Sequence, residues 1–414
     1  MADWSVLPRD ILILIVDRFE TSFEIVLFRS VCSSWRSVVP SPRESRCLGI
    51  KTHIPVFVHH RYTYRGKRRF NNNDECCTLK KIPVYLVRFN TPFGDDYLLA
   101  EMRERRNSGK PMSMSSPLAS LGRLTPKSTI LLFNSLTTQI VSLFHYYQLN
   151  WGSTSKKVEY LELNNEYCRD FRLLADIEGA MMIYSSLDMR WMDISVSPEK
   201  CRDIISFKGK FYVVDTSGWG HVFVIEPSLE VSEIPLVTRS ICKCSKENLV
   251  KSGEELLLVQ RFIPGDSYEK DMYKWFPLDE PHLEHMYTWF RVFRLDEEGG
   301  RRKWVQVNDL KDRVIFLGKR INLCCSVQNI PGAKENCIVF IDSRYDIIRE
   351  SESILLFDLR TKRTSTAFSE CRGYMGAFGA NLESLLSCGV VTLPNPATSF
   401  YDLFSDSFWL TREK

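Results

Sequence analysis

The stretch ISFKGKFYVVD, residues 205–215, carries the texture that decides the fold of most of this chain. Its β-branched and aromatic side chains, broken by turn residues and spaced with a period of two, suit extended strands. Working outward, the same texture recurs in IPVYLVRF (82–89), VFVIE (222–226), ELLLVQRF (255–262), FRVFRLD (290–296) and CIVFID (337–342). Helical patterns are scarce beyond residue 50, with a brief turn at Leu382 to Leu386 the exception. A weak repeat runs through these strands. ILLFNSLTTQ (130–139) and ILLFDLRTKR (354–363) share an aliphatic run, an Asn or Asp and a polar turn, and VFVIEPSLE (222–230) and VFRLDEEGG (292–300) follow the same plan. MRWMDI (189–194) and RKWVQV (302–307) each place a tryptophan in the following strand. Starts near 130, 181, 222, 292 and 354 lie 41 to 70 residues apart, an interval that fits a four-stranded propeller blade. The spacing is irregular, and a pair of sandwiched sheets is the alternative.

Three polar or aromatic stretches interrupt the strands. Residues 61–75 combine RYTYRGKRRF with NNNDE, and residues 101–117 are Ser/Pro-rich. Residues 264–289 form a long acidic and aromatic loop containing Tyr268, Tyr273, Trp275, Phe276, Tyr287 and Trp289. These are the side-chain types that concentrate in protein interfaces, so they are the candidate target-binding residues, unless they fold back as a lid.

Residues 4–39 have a different period. Ile11 to Phe19 reads ILILIVDRF, apolar nearly all round, and Phe23, Val26, Leu27, Val31, Trp35 and Val38 follow at three- to four-residue spacing. Pro8 fits a first helical turn, and Pro40 and Pro42 end helical structure. About forty residues is near the lower limit for independent folding, and this segment has more apolar surface than so small a core can bury. Either another polypeptide or the chain's own β domain covers it.

Composition narrows the rest. Of 414 residues, 44% are hydrophobic and 26% charged, ordinary for a globular protein, and the net charge of +4 announces neither nucleic acid nor membrane as a partner. Thirteen cysteines without a CxxC pair, a MADWSVLPRD start unlike a secretory signal, and no Asn-x-Ser/Thr sequon point to a reducing intracellular compartment, nuclear or cytoplasmic. Arg65 to Arg69 (RGKRR) reads as a solvated loop before it reads as an import patch. His282-x-x-His285 with Glu280 and Glu284 lacks further ligands at a metal-site spacing. His59-His60, Cys242-x-Cys244, Cys76-Cys77 and Cys324-Cys325 are weaker signals still. Gly373-x-x-Gly376-x-x-Gly379 lacks both the dinucleotide pattern and a surrounding βαβ unit. No metal, cofactor or catalytic nucleophile is expected.

The N-terminal residues Trp4, Leu7-Pro8, Ile11-Leu12, Ile15, Val31-Cys32 and Trp35-Arg36 resemble the F-box; Phe23 to Val26 depart from its usual Asp-led turn. Residues 80–370 resemble the kelch-related C-terminal domain of a large plant F-box family through FKGKFY (207–212), GEELLLV (253–259), FRLD (293–296), Trp304, LKDRVIFLG (310–318) and NCIVF (336–340). The resemblance implies an α+β multidomain chain: a three-helix F-box at 1–45, a linker at 46–80 and a mainly-β, kelch-like propeller at 81–405. It further implies a non-catalytic substrate receptor of a ubiquitin ligase. Leu7, Pro8, Ile11, Leu12, Ile15, Val31, Cys32 and Trp35 would dock on a Skp-type adaptor, and through it on cullin and RING subunits, while the β domain holds an unknown protein target. The alternatives are an F-box scaffold outside any ligase and a propeller that binds a small molecule.

Overall fold

The computed structural model describes residues 6–19, 25, 28–29, 31–39, 53–55, 76–91, 94–104, 112–115, 139–151, 154–165, 168–177, 180–194, 201–215, 221–235, 246–263, 288–298, 301–318, 321–329, 333–342 and 353–366. Among the described residues the protein is mainly β, with its α-helices at the N-terminus: α1 (Arg9–Val16) and α2 (Ser33–Val38), and helical backbone at Ile25, Phe28 and Arg29 between them; one 3-10 turn, Val327–Asn329, lies in the β region. Among the described residues no helix is long and apolar enough to cross a membrane.

The described strands form four sheets. The first runs β4 (Met112–Ser115), β3 (Gly94–Glu104), β2 (Cys76–Thr91), β5 (Gln139–Trp151), β6 (Thr154–Asn165), β7 (Cys168–Ile177), β8 (Ala180–Ser185), β9 (Arg190–Asp193), with β1 (His53–Pro55) paired to the start of β2. It turns within β6, which pairs with β5 through Thr154 to Val158 and with β7 through Glu159 to Asn165. The next two are antiparallel meanders: β10 (Cys201–Phe207) to β13 (Val231–Ile234) by way of β11 (Lys210–Asp215) and β12 (Val222–Ile225), then β14 (Lys246–Ser252), β15 (Glu255–Phe262), β16 (Trp289–Glu298) and β17 (Arg301–Val307). The last has the order β19 (Asn322–Ser326), β18 (Arg313–Leu317), β20 (Cys337–Asp342), β21 (Ser353–Asp358), β22 (Arg363–Thr366), with β18 and β20 parallel.

Successive strand residues point to opposite faces, so a strand with water on one side alternates apolar and polar. Here the runs are nearly continuous because both faces are covered. On β11, Phe211 and Val213 pack with Leu174 and Ile183 of the preceding sheet, while Tyr212 and Val214 pack with Leu256 and Leu258 of the following one. On β15, Leu257 and Val259 turn the other way, to Ile315 and Phe340. On β18, Val314 and Phe316 reach Ile82 and Val84 of β2, and on β2 Cys77 and Leu79 meet Leu173 and Tyr184. The last sheet thus packs on the first, and the face-to-face contacts close into a ring. A two-sheet sandwich buries one face per sheet, so this circuit excludes the sandwich alternative.

Several expectations change. The run 205–215 is two strands: β10 ends at Phe207, β11 begins at Lys210, and Lys208 (φ 45°) with Gly209 (φ 76°) makes a two-residue turn. Positive φ at both turn positions matches the right-handed twist of the flanking strands. The expected linker 46–80 contains β1 and the first turn of pairing on β2, so the boundary at residue 80 falls inside a continuous strand. Runs 255–262 and 337–342 coincide with β15 and β20. Residues 382–386 and the repeat unit's start near 130 lie outside the described residues.

Glycine is required at a second hairpin, between β14 and β15. Gly253 has φ 62°, and a Cβ there would stand 3.3 Å from Nη2 of Arg313; at Gly209 the same position is open. Both Gly→Ala changes carry left-handed backbone strain, of order 1 kcal/mol. Gly253→Ala must also displace the guanidinium, so it will lower the thermal midpoint further than Gly209→Ala. Equal midpoints for the two variants would show that Arg313 yields freely.

Candidate functional site

The N-terminal helices are arranged around a small internal core of Leu12, Ile25, Phe28 and Val39, against which Leu7, Ile15, Val16, Phe19, Trp35 and Val38 pack. On α1 the inward residues Leu12, Ile15 and Val16 follow i, i+3, i+4, one stripe of a 3.6-residue period, and Phe19 packs on the same core just beyond the helix. Trp35 leans on Phe28 with ring centroids 4.7 Å apart. Cys32 caps α2: its sulfur accepts the backbone N–H of Trp35 at 3.5 Å. Arg36 donates to the carbonyl of Arg29 at 3.3 Å, and Arg29 returns to the carbonyls of Arg36 and Val39. The Val-Cys-x-x-Trp-Arg signature is thus a set of local ties that closes the helical segment.

Of the residues expected to contact an adaptor, Pro8, Ile11 (43% exposed) and Val31 (52%) face solvent, and Leu7, Ile15, Cys32 and Trp35 are half-buried. Leu12 is a correction. At 1% exposure it is the hub of the internal core and offers no free surface. Three exposed apolar residues complete the outer face: Leu14 at 61%, with Val6 and Ile13. The same helical stripe that sends Leu12 inward leaves Ile11, Ile13 and Leu14 outside it, so the spacing itself carried the distinction.

Of the aromatic loop, the described residues include only the root. Trp289 is the first residue of β16, pairs with Phe262 across the ladder and stacks on it at 3.9 Å and 7°. Arg291 lies over both rings, 5.4 Å from Phe262 and 5.1 Å from Trp289. Trp289 is therefore a stem residue, not a loop residue. Tyr268, Tyr273, Trp275, Phe276 and Tyr287 lie outside the described residues, as do His282 and His285.

A second cluster has no counterpart in the sequence reading. The strands β6, β10, β14 and β19 lie side by side, one from each successive sheet, at the middle of the ring. Asp203 on β10 joins all four. Its Oδ1 takes the Lys157 ammonium at 3.2 Å and the Ile204 N–H at 3.0 Å; its Oδ2 takes the Leu249 N–H at 2.9 Å and the Asn322 amide at 3.0 Å. Glu159 accepts the backbone N–H of Ser206 at 2.9 Å and its hydroxyl at 3.1 Å, and also faces Lys157 at 3.5 Å. Burial works to lower the Lys157 pKa, but Asp203 and Glu159 outweigh it and hold the ammonium above the usual lysine range. Burial pushes the thiols of Cys201, Cys324 and Cys325 upward, Cys325 to about 12, so none has the depressed pKa of a reactive cysteine. Among the described residues no group of three or more His, Cys, Asp or Glu is placed to hold a metal.

Known proteins with this organisation exist. An F-box domain model matches residues 4–46, and a KIB1-4 β-propeller model matches residues 121–358. An F-box protein of Arabidopsis thaliana is 49% identical over 328 residues, covering 73% of this chain and 96% of its own length. The Arabidopsis protein Photoperiodic Control of Hypocotyl 1 is 50% identical over 296 residues, 66% of this chain but only 37% of its own. An Arabidopsis F-box/kelch-repeat protein is 32% identical over 354 residues, 82% of this chain and 84% of its own. The ring extends beyond the propeller match, since Ile82 and Val84 on β2 precede residue 121 and still complete its closing interface.

Proposed function

The chain belongs to the plant F-box family whose members carry a KIB1-4 β-propeller, and from that membership we propose that it is the substrate receptor of a Skp-cullin-F-box ubiquitin ligase. One observation supports this most directly. The matched F-box segment has filled its own core with Leu12, Ile25, Phe28 and Val39, and still holds Val6, Ile11, Ile13, Leu14 and Val31 in water. Covering a large aliphatic side chain is worth about 1.5–3 kcal/mol, so a groove that receives this face gains several kcal/mol. The Skp-type adaptor is the occupant that an F-box implies. We read the segment as the three-helix form, its middle helix passing through Ile25, Phe28 and Arg29, and the ring as kelch-related, a term several relatives carry in their names. The domains are then an F-box to about residue 45, a short connection, and a propeller entered by β1 and β2. The work is done in the nucleus or the cytoplasm.

In this role the chain contributes no bond-making group. A target lysine attacks a ubiquitin thioester on a conjugating enzyme, and the receptor supplies proximity, which raises the effective concentration of the two reactants. The target docks on the propeller. The face that bears the Phe262–Trp289–Arg291 stack is the favoured side, because the interface-type aromatics at 264–287 leave the sheet there.

Purifying the tagged full-length chain from plant cells, with the proteasome and cullin activation blocked, tests the reading. Adaptor and cullin should both co-purify, together with ubiquitinated target. Adaptor without cullin would replace the ligase by a scaffold role, and the absence of both would overturn the proposal.

A further inference from the structure

A helix as short as α2, with six residues, does not hold itself. Its last four carbonyls, Trp35 to Val38, lie beyond the reach of the intrahelical ladder. The start of the helix is tied by Cys32, whose sulfur takes the Trp35 N–H at 3.5 Å and whose carbonyl takes the Arg36 N–H at 3.0 Å. The end is tied from outside. Arg29 donates from Nη1 to the carbonyl of Arg36 at 3.2 Å and to that of Val39. Arg36 donates back to the Arg29 carbonyl at 3.3 Å, so each arginine caps the backbone that carries the other.

Arg29 is 9% exposed and offers no surface to a partner. A buried guanidinium is costly unless its donors are used, and the carbonyls at a helix C-terminus suit it because the helix dipole is negative there. Such charge-assisted bonds are roughly twice as strong as neutral ones. The exchange thus fixes the helical backbone at Phe28 and Arg29 against the end of α2. Val31 lies in the short span between the two. Its N–H bonds the Phe28 carbonyl at 3.2 Å, and the next residue, Cys32, is the α2 cap. The exposed Val31 side chain is therefore aimed by the relative setting of these two backbones. Ile11 is set differently, by α1, which seats itself on the core through Leu12, Ile15 and Val16.

We propose that Arg29 is a positioning residue for adaptor docking, acting through α2 to aim Val31 at the groove that receives the F-box. The role rests on the ligase reading above and goes beyond it, since it gives a part in docking to a side chain that the partner does not touch. Lysine is a poor substitute, because its ammonium ends one bond short of the position of Nη1 and lacks the planar fork.

A double-mutant cycle, read as binding of the full-length chain to an immobilised plant Skp-type adaptor, tests the role. Arg29→Gln should weaken binding about tenfold, the scale of a lost charge-assisted hydrogen bond. With the aim of Val31 lost, the affinity cost of Val31→Ala should shrink about threefold in the Arg29→Gln chain. The cost of Ile11→Ala should be the same in both backgrounds. Equal shrinkage at Val31 and Ile11 would show that Arg29 only holds the helical segment together, and overturns the proposal. Full additivity at both positions overturns it as well. Where Arg29→Gln binds too weakly to measure, the same cycle is read on Arg29→Lys, which keeps the buried charge, and the same contrast between Val31 and Ile11 is expected. An adaptor that does not bind the native chain overturns the ligase reading and the positioning role together. Native binding that Arg29→Gln leaves intact overturns the positioning role alone.

Discussion

Replacing Ile11 and Leu14 together by Asp will abolish capture of a Skp-type adaptor while leaving the chain folded. Both side chains lie on the outer face of α1, 43% and 61% exposed, so neither contributes to the internal core. Each would otherwise bury an aliphatic group worth about 1.5–3 kcal/mol against the adaptor, and each aspartate would have to be desolvated there. Together the two changes cost the complex at least about 4 kcal/mol, roughly a thousandfold in affinity. Ile11 lies in the first turn of α1, where a carboxylate is favourable, and Leu14 in its last turn, where one costs about 0.3–1 kcal/mol, far less than the loss at the docking face. Circular dichroism and the thermal midpoint of the free protein should therefore change little, and the co-purification yield should fall to background. Leu12→Ala provides the contrast. It removes the hub of the internal core, costs about 2–5 kcal/mol and melts the helical segment itself. Adaptor capture retained by the Ile11→Asp, Leu14→Asp chain would mean that this face is not the docking surface.

The second large effect is expected at Asp203, and it is one of stability. Asp203→Ala leaves the Lys157 ammonium, the Leu249 N–H and the Asn322 amide, on strands of three other sheets, without the acceptor that joins them. Removing one member of a buried ion pair typically costs 3–5 kcal/mol, because the remaining charge stays desolvated. Lys157 keeps Glu159 at 3.5 Å and is 26% exposed, so about 3 kcal/mol is the expected loss, or roughly 6 °C in thermal midpoint. Adding Lys157→Met to Asp203→Leu should recover a substantial part, since an apolar pair no longer leaves a buried charge unmatched. A shift below about 1 °C for Asp203→Ala would show that the ring does not depend on this junction.

Much of the fold was legible because it depends on local composition. Continuous apolar strands such as 255–262 and 337–342 are fixed by their own β-branched and aromatic residues, and they emerge with those bounds. The hairpin inside 205–215 was missed because β10 and β11 have the same composition, and only the positive φ at Lys208 and Gly209 separates them. Trp289 was placed in a loop because its neighbours to the N-terminal side are loop-like; pairing with Phe262 draws it into the sheet. On α1 the apolar count was read correctly, but the split between inward and outward residues was not. Counting three and four from Leu12 separates the two sets without any coordinates.

By itself, the sequence determined that the chain has a short helical segment with more apolar surface than it can bury, followed by a long succession of strands. These follow from side-chain type and period, which act over a few residues. The tertiary structure alone decided that the strand faces close into a ring and that Lys157, Glu159, Asp203, Ser206 and Asn322 meet on its inner strands. Asp203 and Asn322 are 119 residues apart, and nothing in either neighbourhood marks them as partners. Their meeting is set by the packing of successive sheets, a long-range property that brings one strand from each sheet to the centre. The polar groups on those strands, unable to reach bulk water freely, pair with one another.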